Sequence, residues 1–144
     1  AAVQPKFPNG IPVCRVFFRG ASFRNMKSGE EIQGQSLSGR KCLLVSGIAD
    51  PASFRKFVES LGIVVERELV FPDHHKYLPD DLDAVENIAR YRKVDAVITT
   101  DKDAVKWKNF NGNGAPVLVL KLTVSPVDPF PWKLIDGNDA VGVA

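Results

Sequence analysis

The sequence predicts an α/β fold in three layers, a mainly parallel sheet with helices flanking both faces. Three observations predict it. Short apolar runs at 42–45, 63–70 and 95–99 have the length of strands buried inside such a sheet. Between them lie two segments whose apolar residues recur at helical spacing. The chain of 144 residues, 44% hydrophobic and 25% charged, is also long enough to enclose one sizeable core.

The elements follow in order. Residues 1–10, with Pro5, Pro8 and Gly10, read as an irregular lead-in, and 13–18 as a first strand. Residues 19–40 are polar and rich in Gly and Ser, which fits a long loop or a short hairpin. Cys42-Leu43-Leu44-Val45 is continuously apolar and ends at Ser46-Gly47, the pattern of a strand covered on both faces. Asp50 is placed to cap the next helix, with Pro51 at its first position. Phe54, Phe57, Val58 and Leu61 then form one apolar stripe, and Gly62 supplies the stop. Residues 63–70 read as a second buried strand. A helix from about Pro79 to Arg92 follows, with Leu82, Val85, Ile88 and Ala89 inward. Its acids Asp80, Asp81 and Asp83 come early and Arg90, Arg92 and Lys93 late, as the helix dipole favours.

Residues 95–99 are the next strand, and Thr100-Asp101-Lys102-Asp103 resembles a capping box opening a short helix through Trp107. Residues 116–122 are the last strand. This alternation argues for right-handed βαβ units, a Rossmann-like plan. By domain, 1–40 read as a lead-in with one strand and a hinge between domains. Residues 41–124 read as the α/β domain. Residues 125–144, with Pro126, Pro129 and Pro131, read as a Pro-rich segment and disordered tail.

Composition excludes several classes. A formal charge of +2 does not point to nucleic acid. Lys6, Arg15, Arg19, Arg24, Lys27 and Arg40 outweigh Glu30 and Glu31 near the N-terminus. That fits a surface for phosphate or anionic lipid headgroups, but reads more simply as a solvated loop. Cys14 and Cys42 have neither disulfide-framework nor zinc spacing and read as buried free thiols. No run approaches the roughly 20 apolar residues of a membrane span. The N-terminus has no signal-peptide pattern and no initiator methionine, so the chain is read as a soluble piece of something longer.

Three segments follow strands and should line one edge of the sheet, where ligands bind in open α/β folds. In Ser46-Gly47-Ile48-Ala49-Asp50-Pro51 a glycine precedes a helix N-terminus, which suits an anion or simply a cap. Phe71-Pro72-Asp73-His74-His75 holds the only two histidines. Histidine handles protons near neutrality, and an adjacent carboxylate can orient it as a general base. Thr99-Thr100-Asp101-Lys102-Asp103 places two acids and a lysine on a first helical turn, where the lysine opposes the dipole. Gly29 to Ser36 has P-loop spacing, but Gln35 stands where the phosphate-binding lysine belongs. The fold is therefore read as lacking a P-loop.

Together Gly47-Ile48-Ala49-Asp50-Pro51 with Phe54, Phe71-Pro72-Asp73-His74-His75 with Tyr77, and Thr99-Thr100-Asp101-Lys102-Asp103-Ala104-Val105-Lys106 resemble the tetraacyldisaccharide 4'-kinases, the lipid A kinases of Gram-negative bacteria. The likeness runs over about residues 36–124 and matches that family's C-terminal part. Asp101 departs from the family's usual glutamate, and 125–144 match nothing. The resemblance implies phosphoryl transfer from ATP, with Mg2+, to the 4'-hydroxyl of a tetraacyldisaccharide 1-phosphate in lipid A biosynthesis. It would occur at the cytoplasmic face of the inner membrane. ATP and Mg2+ would be held mainly by an N-terminal P-loop domain, the partner of this one. The resemblance further implies that His74, or as second choice His75, works with an aspartate of that domain, and that Asp73 fixes the imidazole tautomer. Gly47, Asp50, Thr99, Thr100, Asp101, Lys102 and Asp103 are carried over as the substrate side of the site, with no metal ligand in this chain. Alone, the chain is expected to be inactive.

Two rival readings stand beside this one. Asp-His-His is also the signature of DHH phosphoesterases, with Asp101 or Asp103 completing a metal site. The chain also suits a non-catalytic domain that docks a glycolipid or an anionic membrane.

Overall fold

A computed structural model describes residues 16–110 and 112–126. Contacts divide the chain into two compact units, Ala21–Leu122 and a second made of Ala1–Gly20 with Thr123–Ala144. The site lies in the first unit. Of the second, only the strand backbone at 16–20 and 123–126 is described. The expectations for 1–15 and for the tail from 127 lie outside the described residues.

The elements run β1 (Val16–Asn25), β2 (Glu31–Gln33), a 3-10 turn (Gly34–Leu37), β3 (Lys41–Ser46), α1 (Pro51–Ser60), β4 (Val64–Val70), α2 (Pro79–Arg92), β5 (Ala96–Thr100), α3 (Asp101–Ala104) and β6 (Val117–Pro126). They form one six-stranded sheet in the order β2-β1-β6-β5-β3-β4. β3 pairs in parallel with β4 and β5, and β5 with β6. Only the β1–β2 hairpin is antiparallel among the pairings described. The mainly parallel α/β sheet is thus the one the sequence predicts.

Side-chain alternation along the strands builds the layers. On one face Cys42, Leu44, Ala96, Ile98, Leu118 and Leu120 pack against Phe54 and Val58 of α1. On the other, Leu43, Val45, Val97 and Val117 pack against Leu82, Val85 and Ala89 of α2. Because β3 is covered on both sides, Leu43 and Leu44 are both fully buried. Each such leucine stabilises the fold by about 1.5–3 kcal/mol relative to an exposed one.

The helix signals act as read. Asp50 caps α1, its Oδ1 accepting from the Ser53 N–H at 3.1 Å, with Pro51 in the first turn. Gly62, at φ +82°, ends the turn beyond it. α2 begins behind Leu78, whose N–H donates to Asp81 Oδ2 at 2.9 Å, and stops at Lys93 in the left-handed conformation.

Three expectations change. The 63–70 strand is not buried on both faces: β4 is an edge strand, with Val64 and Val70 exposed. Its charged centre Glu66-Arg67-Glu68 suits one solvated side, and Arg55 of α1 reaches Glu68 at 3.0 Å. The first strand continues to Asn25 and folds back through β2, so of the two readings for 19–40 the hairpin holds. Asn25 Oδ1 closes the turn by accepting from the Lys27 and Ser28 N–H groups. α3 ends at Ala104 rather than Trp107, because Lys106 and Trp107 donate to carbonyls three residues back, tightening the chain. The segment with P-loop spacing forms β2 and the 3-10 turn, not a loop opening an α-helix.

Candidate active site

β3 hands the chain to β4 on one side, while its neighbour β5 hands it to β6 on the other. Their carboxyl ends therefore diverge, the place where open α/β sheets form a crevice. The loops after β3, β4 and β5 meet there, so the three predicted segments do share one edge.

The crevice itself is filled. Gly47 is buried directly after β3, and its N–H donates to both carboxylate oxygens of Asp103 at 3.1 Å. Asp103 has no exposed surface. Its Oδ1 also accepts from the Tyr77 hydroxyl at 2.9 Å, and Oδ2 from the Thr100 hydroxyl at 2.7 Å. The Asp103 N–H returns to Thr100 Oγ1 at 3.2 Å, so Thr100 caps α3 while donating to the residue it caps. Burial, and then the nearby Asp103 charge, push the Tyr77 phenol well above the ordinary tyrosine range.

The loop after β4 is where chemistry is exposed. Phe71 extends the pairing of β4, its N–H donating to the Ser46 carbonyl at 2.8 Å. The His75 N–H donates to the Pro72 carbonyl at 3.1 Å, closing a turn that holds His74 at φ +61°. The two histidines then part. The His75 ring stacks on Phe71 with centroids 4.6 Å apart and meets Tyr77 edge-on. Its Nε2 lies 2.9 Å from Asp81 Oδ2. An ionised carboxylate only accepts, so that nitrogen carries the proton. His74 instead points outward, with 75% of its side chain exposed, and its Nε2 lies 3.6 Å from Asp73 Oδ2.

Asp73 is held from the other side by Lys102, whose Nζ donates to Oδ1 at 3.0 Å. That hydrogen bond, more than any other influence, keeps the Asp73 carboxyl below its ordinary value. Lys102 therefore has a partner across the edge that offsets its unfavourable place at the start of α3. The Asp81 carboxyl is also lowered, first by the Leu78 N–H and then by His75.

The remaining expected residues are dispersed. Asp50 is an exposed cap, bonded also to the Ser53 hydroxyl at 2.6 Å. Asp101 faces Arg24 of β1 at 3.7 Å. Thr99 is buried, and its hydroxyl, like that of Ser46, has no partner among the described residues. Asp81 and Arg24 were not singled out as site residues from sequence. Asp81 carried a signal, since a carboxylate three residues past the helix start can reach back to the backbone.

Among the described residues no three His, Cys, Asp or Glu side chains converge as a metal site. The reason is visible: His75 turns to Asp81 while His74 turns to solvent. Nor does the edge suit a nucleotide's phosphates, since the Gly47 N–H is spent on Asp103 and a buried carboxylate fills the crevice. Among the described residues, no helix is long and apolar enough to cross a membrane.

Comparison with known proteins leads to the family that the sequence resembles. The family model described as "Tetraacyldisaccharide-1-P 4'-kinase" matches residues 2–136. The tetraacyldisaccharide 4'-kinase of Bdellovibrio bacteriovorus is 32% identical over 86% of this chain and 37% of its own length. That of Halothermothrix orenii is 42% identical over 62% of the chain and 24% of its own. A solved LpxK from Aquifex aeolicus, in complex with ATP, superposes with a TM-score of 0.55 and 26% identity over 90% of this chain and 36% of that one. The chain thus spans roughly a quarter to just over a third of these relatives. On the strength of the family match over nearly its whole length, the chain belongs to the tetraacyldisaccharide-1-P 4'-kinase family.

Proposed function

We propose that this chain is the acceptor-side domain of an ATP-dependent kinase that phosphorylates the 4'-hydroxyl of a tetraacyldisaccharide 1-phosphate, a step of lipid A biosynthesis. The single observation that carries the reading is the parting of the two histidines: one imidazole is locked into the fold and the other is exposed at the sheet edge beside Asp73. ATP, with Mg2+, would supply the phosphoryl group. It would be held by a P-loop domain elsewhere in the whole enzyme. Acting on a lipid-linked sugar, that enzyme would work at the cytoplasmic face of the inner membrane.

His74 has the exposure a general base needs to meet a hydroxyl. Taking the proton makes it an imidazolium, and Asp73, kept ionised by Lys102, faces that charge. Lys102 and Asp73 thus serve His74. His75 is the structural member of the pair.

The test is the whole enzyme with His74→Ala and, separately, His75→Ala. His74→Ala should lower turnover by about 10²- to 10⁴-fold, the usual worth of a positioned base, with ATP affinity nearly intact. Unchanged turnover would remove His74 from the mechanism.

A further inference from the structure

Asp103 is sealed from solvent, so it does not touch a substrate, yet it receives more donors than any other carboxylate described at this edge. A buried charge of this kind costs stability unless fully satisfied. It joins three pieces of chain that are distant in sequence: the turn after β3 through Gly47, the turn after β5 through Thr100, and the loop after β4 through Tyr77. Tyr77 passes the constraint on. Its ring meets His75 edge-on at 5.0 Å and Phe71 at 5.2 Å, and those two rings stack on each other. His74 lies between Phe71 and His75 in sequence, in a backbone conformation that a non-glycine residue holds only when its surroundings impose it.

We propose that Asp103 is a positioning residue, acting through Tyr77 and the Phe71–His75 ring stack to hold His74 at the sheet edge; the catalytic part rests on the kinase reading above. Gly47 belongs to the same device, because the chain here passes its neighbours more closely than a side chain comfortably allows. A Cβ there would lie 3.1 Å from the Pro72 carbonyl oxygen, 3.2 Å from Asp103 Oδ1 and 3.2 Å from the Tyr77 hydroxyl. The site is therefore built as an open base carried on a closed clamp.

Two measurements test this separately. On the 144-residue chain itself, NMR would compare the parent with Asp103→Asn and Tyr77→Phe. Asp103→Asn replaces one acceptor oxygen by a donor, so the Gly47 amide should exchange with solvent at least about tenfold faster, as local opening becomes easier. The His75 ring protons should move toward free-imidazole positions as the stack loosens. Tyr77→Phe removes one hydroxyl and should shift the same resonances less, which keeps the test alive if Asp103→Asn fails to fold. A folded variant with the His75 signals unmoved would overturn the clamp.

In the whole enzyme, kcat per folded molecule should fall by about 10²-fold for Asp103→Asn, the cost of an ångström-scale misplacement, while KM for ATP changes less than about twofold. A purely structural role would lower the melting temperature and leave kcat per folded molecule intact, and that result would overturn the proposal. A parent enzyme with no phosphoryl transfer would sink the kinase reading and the catalytic half of this one, while the NMR result still decides the clamp.

Discussion

The backbone N–H of Gly47 and the carboxylate of Asp103 meet at 3.1 Å to each oxygen across 56 residues of chain. This contact closes the crevice between β3 and β5, where a doubly wound sheet would otherwise receive a ligand. What stays open at that edge is the loop after β4, with His74 at its tip.

Replacing Gly47 by alanine should therefore destabilise the fold. The added methyl would lie 3.1 Å from the Pro72 carbonyl oxygen and 3.2 Å from both Asp103 Oδ1 and the Tyr77 hydroxyl, two side chains already tied to each other by a hydrogen bond. A loss of about 1–3 kcal/mol is expected, the usual cost of overpacking. Urea denaturation of Gly47→Ala against the parent measures it, and a change within about 0.5 kcal/mol would mean that the crevice relaxes freely.

Asp50 should behave as a cap. Asp50→Ala removes the acceptor for the Ser53 N–H and should lower the melting temperature, while Asp50→Asn, which can still accept, should recover most of the loss. Thermal melts of both variants decide this. Equal melting of alanine and asparagine variants would point to a role for the charge instead.

Stability should fall on the acid side. The Asp50, Asp73 and Asp81 carboxyls all lie below their ordinary values, held first by the Ser53 hydroxyl, by Lys102 and by the Leu78 N–H respectively. A group with a depressed folded pKa stabilises above its unfolded value, about 3.9 for Asp, and loses that contribution as pH falls through the folded value. Tyr77 has the opposite sign: raised in the fold, it stabilises below about 10 and loses that contribution as pH climbs above it. Between about pH 5 and 9 these four groups should leave stability flat. Denaturation at stepped pH checks this, and Asp73→Asn with Asp81→Asn should flatten the acid limb.

Cys42 should be inert in the native state. Burial pushes its thiol up to about 12, with Arg55 drawing it down less than burial raises it. In a Cys14→Ser background, so that the signal is Cys42's alone, a disulfide reagent at neutral pH should react only as fast as the chain opens. Rapid stoichiometric labelling of the folded protein would contradict the burial of β3.

Much of the scaffold was legible because its signals are local. Asp50-Pro51 and Gly62 bracket α1, and Leu82, Val85 and Ala89 recur at the period that faces a sheet. β4 was misread as buried because an apolar run says nothing about how many neighbours a strand has. Its edge position follows from the strand order. The short β1–β2 hairpin is polar enough to read equally as loop.

At the site the sequence by itself determined that Asp73-His74-His75, Gly47 and Asp103 come from segments delivered to one sheet edge, since strand ends in parallel units all point the same way. It did not tell the two adjacent histidines apart. That was decided by tertiary structure: the turn at Pro72 sends one imidazole to Asp81 across the loop and the other to solvent. Likewise Asp103, expected on the substrate side, is buried against Gly47 and Tyr77, because hydrogen-bond partners 26 and 56 residues away have no signature in local spacing. Local propensity placed the groups, and long-range packing set their contacts.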